Sequence, residues 1–176
     1  MKPPTTAKPR RRSAGRRTAG ARAQDSAPAA PLVIRPVRRG DLAQVIAIDA
    51  TVTGLEKRDY WRSVYRRYGD SGHVERQFLV ADAAERVVGF VIGEVRDWEF
   101  GSPPCGWVFA IDVKPDCRQA GIGTRLLDAI CASFRRAGVR KVRTMLGRDN
   151  TLILSFFRSQ GMMAGPFIPL EMDLGT

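Results

Sequence analysis

The sequence predicts an α/β fold in which a mixed central sheet carries helices on both faces. Three observations support this. Strand-like stretches at about 78–82, 87–95 and 105–113 follow one another with only turns or loops between them. Two helical patterns precede them, and extended and helical patterns alternate after them. The resulting order, β-α-α-β-β-β-α-β-α-β, suits a sheet that is neither purely parallel nor purely antiparallel.

The elements follow from local chemistry. "LVIRPV" from Leu32 reads as a first strand. Asp41 stands where it could cap a helix, with Leu42, Val45, Ile46 and Asp49 behind it at helical spacing. In "LEKRDYWRSVYRRYG", Tyr60, Trp61, Val64, Tyr65 and Tyr68 share one face, and Gly69 ends the helix. Such an aromatic stripe suits a core, and it could also line a pocket. "CGWVFAIDV" is a strand, with Pro115 just past its end. In "TRLLDAICASFRRAG", Leu126, Leu127, Ile130, Cys131 and Phe134 form an apolar helix face that Gly138 stops. "VRKVRTML" reads as a strand. "DNTLILSFFRSQG" reads as a short helix capped by Asp149 or Asn150 and ended by Gly161. "MMAGPFIPLEMDL" is expected to add one or two strands.

The chain has 176 residues, 44% of them apolar, which suffices for one domain with its own core. The net charge of +11 is uneven: residues 1–31 hold eight Lys/Arg and one acid, Asp25, and so contribute +7. That tail has no large apolar residue after Met1 and is expected to be disordered, leaving residues 32–176 as the folded domain. It lacks the apolar core of a signal peptide. It suits a solubilising extension, or a segment that meets nucleic acid or another anionic surface. No apolar run is long enough to span a membrane. Cys105, Cys117 and Cys131 are odd in number and lack metal-site spacing, which fits a reducing, cytoplasmic setting. A lone histidine, His73, excludes a multi-histidine metal site.

The stretch "VKPDCRQAGIGTRLL" joins a strand end to a helix through two glycines. A helix N-terminus presents unpaired N–H groups and partial positive charge, and glycine lets backbone approach an anion. Arg118 adds a cation and Thr124 a hydroxyl. The ligand this suits is a phosphate or pyrophosphate. The dinucleotide fingerprint fails because Leu126 replaces its third glycine, and the P-loop fails because Gly123 is followed by Thr124-Arg125. On its own the pair of glycines could equally make only a tight turn.

Arg118-Gln119-Ala120-Gly121-Ile122-Gly123 resembles the pyrophosphate-binding motif of the GNAT N-acetyltransferase superfamily. Val113 and Pro115 match its strand end. Asn150, Phe157 and Gly161 match a second signature, and residues 33–49 resemble its opening strand and helix. The resemblance runs over about 32–176. It implies one GNAT-like domain whose mixed sheet splays at the cofactor strand. It also implies transfer of an acetyl group from acetyl-CoA to a primary amine in a ternary complex.

The resemblance further implies that the backbone of Ile111, Asp112 and Val113 pairs with the pantetheine arm as an added strand. Backbone N–H groups from Gln119 through Ala120, Gly121, Ile122 and Gly123 to Thr124 would hold the pyrophosphate. Asn150 would touch the cofactor and Phe157 would lie near its sulfur. The Val113 N–H is the expected oxyanion donor. For the base, Glu94 comes first and Asp112 second, with Asp97 and Glu99 in the following loop. Many members have a tyrosine where this chain has Phe157, and phenylalanine cannot protonate a departing thiolate. A non-catalytic acyl-CoA-binding module is therefore an alternative, as is a nucleic-acid-associated protein acting through the tail. Trp98 is a candidate to cover a cleft, and Cys117 to be activated by the nearby positive field. The acceptor carries no readable motif, and a homodimer is the default assembly.

Overall fold

The computed structural model describes residues 31–69, 72–118 and 120–175. The basic tail, Asp70, Ser71 and Gln119 lie outside these. Among the described residues the strands and α-helices run in this order: β1 (Leu32–Pro36), α1 (Leu42–Thr53), α2 (Arg58–Tyr68), β2 (Arg76–Ala83), β3 (Arg86–Arg96), β4 (Cys105–Val113), α3 (Ile122–Arg136), β5 (Val142–Arg143) and α4 (Thr151–Ser159). The strands form one sheet in sequence order. The first four are antiparallel neighbours, and β5 is parallel to β4. The expected mixed sheet with helices on both faces is the one observed.

Because side chains alternate along a strand, β3 supplies two cores at once. Val88 and Val91 pack with Leu126, Leu127, Ile130, Phe134 and Phe157 on the α3/α4 side. Val87, Phe90 and Ile92 pack with Val45, Ile48, Trp61, Val64 and Tyr68 on the α1/α2 side. The Phe134 ring lies across β3 and β4, where a Cβ on Gly93 or Gly106 would collide with it. The glycines there are a packing requirement.

Three expectations are corrected. Asp41 does not cap α1 through its side chain. Its carboxylate turns back to accept the Arg38 N–H at 2.6 Å and both terminal nitrogens of Arg35 at 2.7 and 3.0 Å. A charge-assisted pair with arginine outcompetes a helix amide. The β5 strand keeps only two of the eight residues expected, and "MMAGPFIPLEMDL" forms no strand. Its apolar residues Ile168, Leu170, Met172 and Leu174 join no ladder and stay exposed.

Candidate active site

Strand β4 creates the site by losing its neighbour. It pairs with β5 only at Gly106–Val142 and Trp107–Arg143. On the β3 side its ladder steps from Ile92–Ala110 to Gly93–Val108, which leaves Phe109 as an extra, bulged residue. From there to Val113 the β5-side edge is open. Lys114 N–H donates to the Val88 carbonyl at 2.9 Å. In an antiparallel ladder the direction alternates, so Asp112 spends its backbone groups on β3 while Ile111 and Val113 turn theirs to the open edge. The expected pairing surface thus narrows to Ile111 and Val113.

The open edge leads straight to the N-terminus of α3. Gly121 caps that helix at φ +70°, a left-handed conformation that L side chains rarely adopt. The first helical amides, including those of Ile122, Gly123 and Thr124, have no partner inside the helix. Gly123 lies against the Phe156 ring, 3.1 Å from where a Cβ would stand. Arg118 is exposed, and its Nε donates to the Val113 carbonyl at 3.2 Å, which ties the loop to the strand. Ala120 is exposed in the same turn.

A cleft of about 1010 Å³ joins these parts, with Ile111, Asp112, Val113, Arg118 and residues 121–124 among its lining. Asn150 and Phe157 close the α4 side. Asn150, rather than Asp149, caps α4, with its Oδ1 accepting the Ile153 N–H at 3.2 Å. Phe157 is only 4% exposed and belongs mainly to the α3-side core.

The other end of the cleft is acidic. Asp112 pairs with Phe90 in the ladder and so points to the α1/α2 side. Its carboxyl is pushed up to about 6, by burial first and by the charge of Asp49 second, while Arg118 and Lys57 pull the other way. Asp49, which sequence reasoning treated only as a helix position, also lines the cleft. It is buried, and it accepts hydrogen bonds from Trp61 Nε1 at 2.8 Å and Lys57 Nζ at 3.1 Å. Its place on the buried side of α1 was the signal available in the sequence. Tyr60 and Trp61 line this end too, while Trp61 is also core and Tyr65 packs only against the core.

Glu94 does not line the cleft. Its Oε2 accepts the Tyr68 hydroxyl at 2.8 Å and its Oε1 the Arg96 Nε at 3.0 Å. Burial, and then Glu94 itself, push the Tyr68 hydroxyl up. The Glu94 carboxylate is thus committed to two donors, whereas Asp112 lines the cleft. Asp97 and Glu99 do not line the cleft either, nor does Trp98, which is 67% exposed on the β3–β4 loop. The Cys117 thiol is raised, chiefly by burial and then by Asp116, which is the opposite of activation. Among the described residues no cluster could hold a metal ion, and no helix is long and apolar enough to cross a membrane.

The chain is thus an α/β domain whose sheet splits beside a bulged strand, with a helix N-terminus at the end of the split. A family model described as the Acetyltransferase (GNAT) family matches residues 44–162. That is more than half of the chain, and the protein belongs to this family. A mycothiol acetyltransferase of Sanguibacter keddieii is 29% identical over 150 residues, 78% of this chain and 46% of that protein. An L-2,4-diaminobutyric acid acetyltransferase of Nocardia farcinica is 31% identical over 87 residues, 49% of this chain and 44% of that one. The chain thus spans less than half the length of the curated relatives it matches. Among solved structures, the aminoglycoside N-acetyltransferase AAC(6')-Iy in complex with CoA superposes with a TM-score of 0.71 at 18% identity. The match covers 82% of this chain and 96% of that one, and at this identity it is a likeness of fold.

Proposed function

We propose that the protein transfers an acetyl group from acetyl-CoA to a primary amine. The observation that carries this reading is the open edge of β4, which runs from Ile111 and Val113 directly to the amides of the α3 N-terminus. An extended arm with amide groups suits the first part, and a pyrophosphate suits the second. The cleft volume lies at the upper end of the roughly 300–1000 Å³ usual for ligand pockets, as a long two-part ligand requires.

Acetyl-CoA supplies the acetyl group as a thioester. The chain's part is to hold and to move protons. An amine near pKa 10 is mostly protonated at neutral pH, so attack needs a proton acceptor. Asp112, with its carboxyl near 6 and its side chain in the cleft, fills that role at neutral pH. Asp49 adds negative charge that favours a cationic acceptor entering between α1, α2 and β4. The Val113 N–H donates to the carbonyl oxygen as negative charge develops there. Phe157 offers no proton to the leaving sulfur. A thiol with pKa near 8.5 leaves as the thiolate at modest cost, so this absence is compatible with turnover. Three free cysteines fit a reducing compartment such as the cytoplasm.

Calorimetric titration of acetyl-CoA into the full chain and into Thr124→Glu tests the reading. A glutamate in the first turn of α3 suits the helix dipole and leaves folding intact, yet it repels a pyrophosphate. Micromolar binding by the wild type and none by the variant is expected. Absence of wild-type binding would refute the cofactor assignment. Binding without turnover on any of a panel of primary amines would leave a non-catalytic acyl-CoA-binding module in its place.

A further inference from the structure

We propose that Lys57 is a self-acceptor: its Nζ takes the acetyl group of bound acetyl-CoA when no other amine fills the cleft. The inference rests on the acetyl-transfer reading and adds to it a modification site on this chain. Among the described residues the lysines are Lys57, Lys114 and Lys141, and of these only Lys57 lines the cleft. Arg118 lines it too, but a guanidinium stays charged and is no nucleophile. Lys57 thus brings a primary amine to the cleft that holds Asp112 and the open edge of β4.

The connection between α1 and α2 puts it there. Gly54 ends α1 in the left-handed region at φ +72°. The Lys57 carbonyl then accepts the Trp61 N–H at 3.1 Å, which fixes its backbone at the start of α2. The Lys57 side chain is 36% exposed, and Nζ stands 5.6 Å from the centroid of the Tyr60 ring. Nζ donates to Asp49 Oδ1 at 3.1 Å, while Trp61 holds the other oxygen of that buried carboxylate. The ammonium is therefore kept in the cleft by a fixed partner. Its charge also reaches Asp112, whose carboxyl it pulls down. Amine and proton acceptor share one end of the cleft. A flexible four-carbon stem on a fixed backbone lets Nζ leave Asp49 for the thioester by a change of rotamer.

The step balances. A lysine amine is mostly protonated at neutral pH, so the ammonium first gives a proton to Asp112, which returns it to solvent. The nitrogen lone pair then attacks the thioester carbonyl carbon. A C–N bond forms, the C–S bond breaks, and its electron pair leaves with the sulfur of CoA. The second proton lost by the nitrogen neutralises that thiolate. The products are Nε-acetylated Lys57 and CoA, with one proton released. Nucleophile and thioester lie in one cleft, so the reaction is unimolecular in the complex. Acetylation also alters the site in which it occurs. Asp49 loses its ion pair, and Asp112 loses one of the two cations that pull its carboxyl down.

Peptide mass spectrometry of the full chain incubated with deuterium-labelled acetyl-CoA, with no amine added, tests it. Lys57 should acquire label about 10²-fold faster than Lys114 and Lys141, the low end of what a positioned proton acceptor gives. The rate constant should not change when the protein is diluted, and Asp112→Asn should lower it. In Thr124→Glu, which repels the pyrophosphate, the three lysines should label alike. Lys57→Arg keeps a cation for Asp49, so it should bind acetyl-CoA as the wild type does and take up no label at that position. Unlabelled acetyl already on Lys57 in the purified wild type, but not in Thr124→Glu made the same way, would support the inference equally. Three results would each overturn it: acetyl-CoA binding without excess label on Lys57, a rate constant that rises with protein concentration, or excess label that persists in Thr124→Glu. The first of these leaves the acetyl-transfer reading intact, whereas absence of acetyl-CoA binding would overturn both.

Discussion

The indole Nε1 of Trp61 donates to Asp49 Oδ2 at 2.8 Å, and the Trp61 ring stands edge-on to Phe90, 5.1 Å away. One side chain of α2 thereby fixes a carboxylate of α1 over the strand that pairs with Asp112. Core packing and the acidic end of the cleft are the same piece of structure. Trp61→Phe keeps most of the ring but leaves a buried carboxylate oxygen without its donor. The expected loss is about 1–3 kcal/mol in urea unfolding. Adding Asp49→Asn should recover part of that loss. Additive losses in the double-mutant cycle would show that the hydrogen bond contributes nothing.

Asp112 gives a pH prediction with a definite sign. Its carboxyl is raised from 3.8 to about 6 in the folded protein. The base form therefore dominates only above about 6, and kcat/KM should rise with pH through that value. Asp112→Asn should remove this limb and lower kcat by about 10²–10⁴-fold, the usual worth of a positioned base. Asp49→Asn should move the limb to lower pH, because the Asp49 charge is the second cause of the shift. An acid limb unchanged in Asp112→Asn would assign the base elsewhere.

The same shift bears on stability. A carboxyl raised by folding binds its proton more tightly in the native state, so its favourable contribution is present at low pH and is lost as pH rises through about 6. At pH 7 the ionised group opposes folding. Asp112→Asn should then stabilise the protein at pH 7 by up to about 3 kcal/mol, with little effect at pH 4. Denaturant midpoints at the two pH values measure the difference. Equal effects at both would contradict the burial argument.

Much of this was legible in the sequence, for physical reasons that can be named. Strand β4 was read with its observed bounds because a β-branched, aromatic run ends at a proline. Helix α3 was read with its apolar face because Leu126, Leu127, Ile130 and Phe134 keep a strict helical period. The turn at Gly121 was legible because glycine alone tolerates its φ without strain. Long-range pairing was not legible. Nothing local shows that Glu94 meets Tyr68, 26 residues away, or that Asp49 meets the cleft that Asp112 lines. The expected strand at the C-terminus failed for a related reason: alternation of apolar residues shows that a segment could pair, not that it does.

Gly106 tests how tightly the two layers are fitted. It pairs with Val142, one residue before Trp107, the last β4 position joined to β5, and it lies under the ring of Phe134. Gly106→Val should force that ring off its rotamer and cost about 1–3 kcal/mol, as overpacking does. Pairing it with Phe134→Leu should recover part of the loss, since the smaller side chain makes room. Failure of the second change to recover anything would place the strain in the backbone instead.

The Arg35 guanidinium bridges Asp41 at 2.7 Å and Asp82 at 2.8 Å, which joins the start of α1 to β1 and β2. The hydrogen bond from Arg35 holds the Asp41 carboxyl below its ordinary value of 3.8, against a smaller opposing effect of burial. A depressed carboxyl stabilises the fold above its unfolded pKa, and that stability is lost as pH falls through the lower folded value. Acid unfolding of the wild type should therefore include a step below about pH 4. Arg35→Met removes the cause. It should destabilise the protein at pH 7, because the buried Asp41 and the half-buried Asp82 lose their shared partner, and it should flatten the acid step. Unfolding curves recorded from pH 2 to 7 separate the two effects. A variant equally destabilised at pH 2 and pH 7 would show that Arg35 acts by packing alone, through its apolar stem against the sheet.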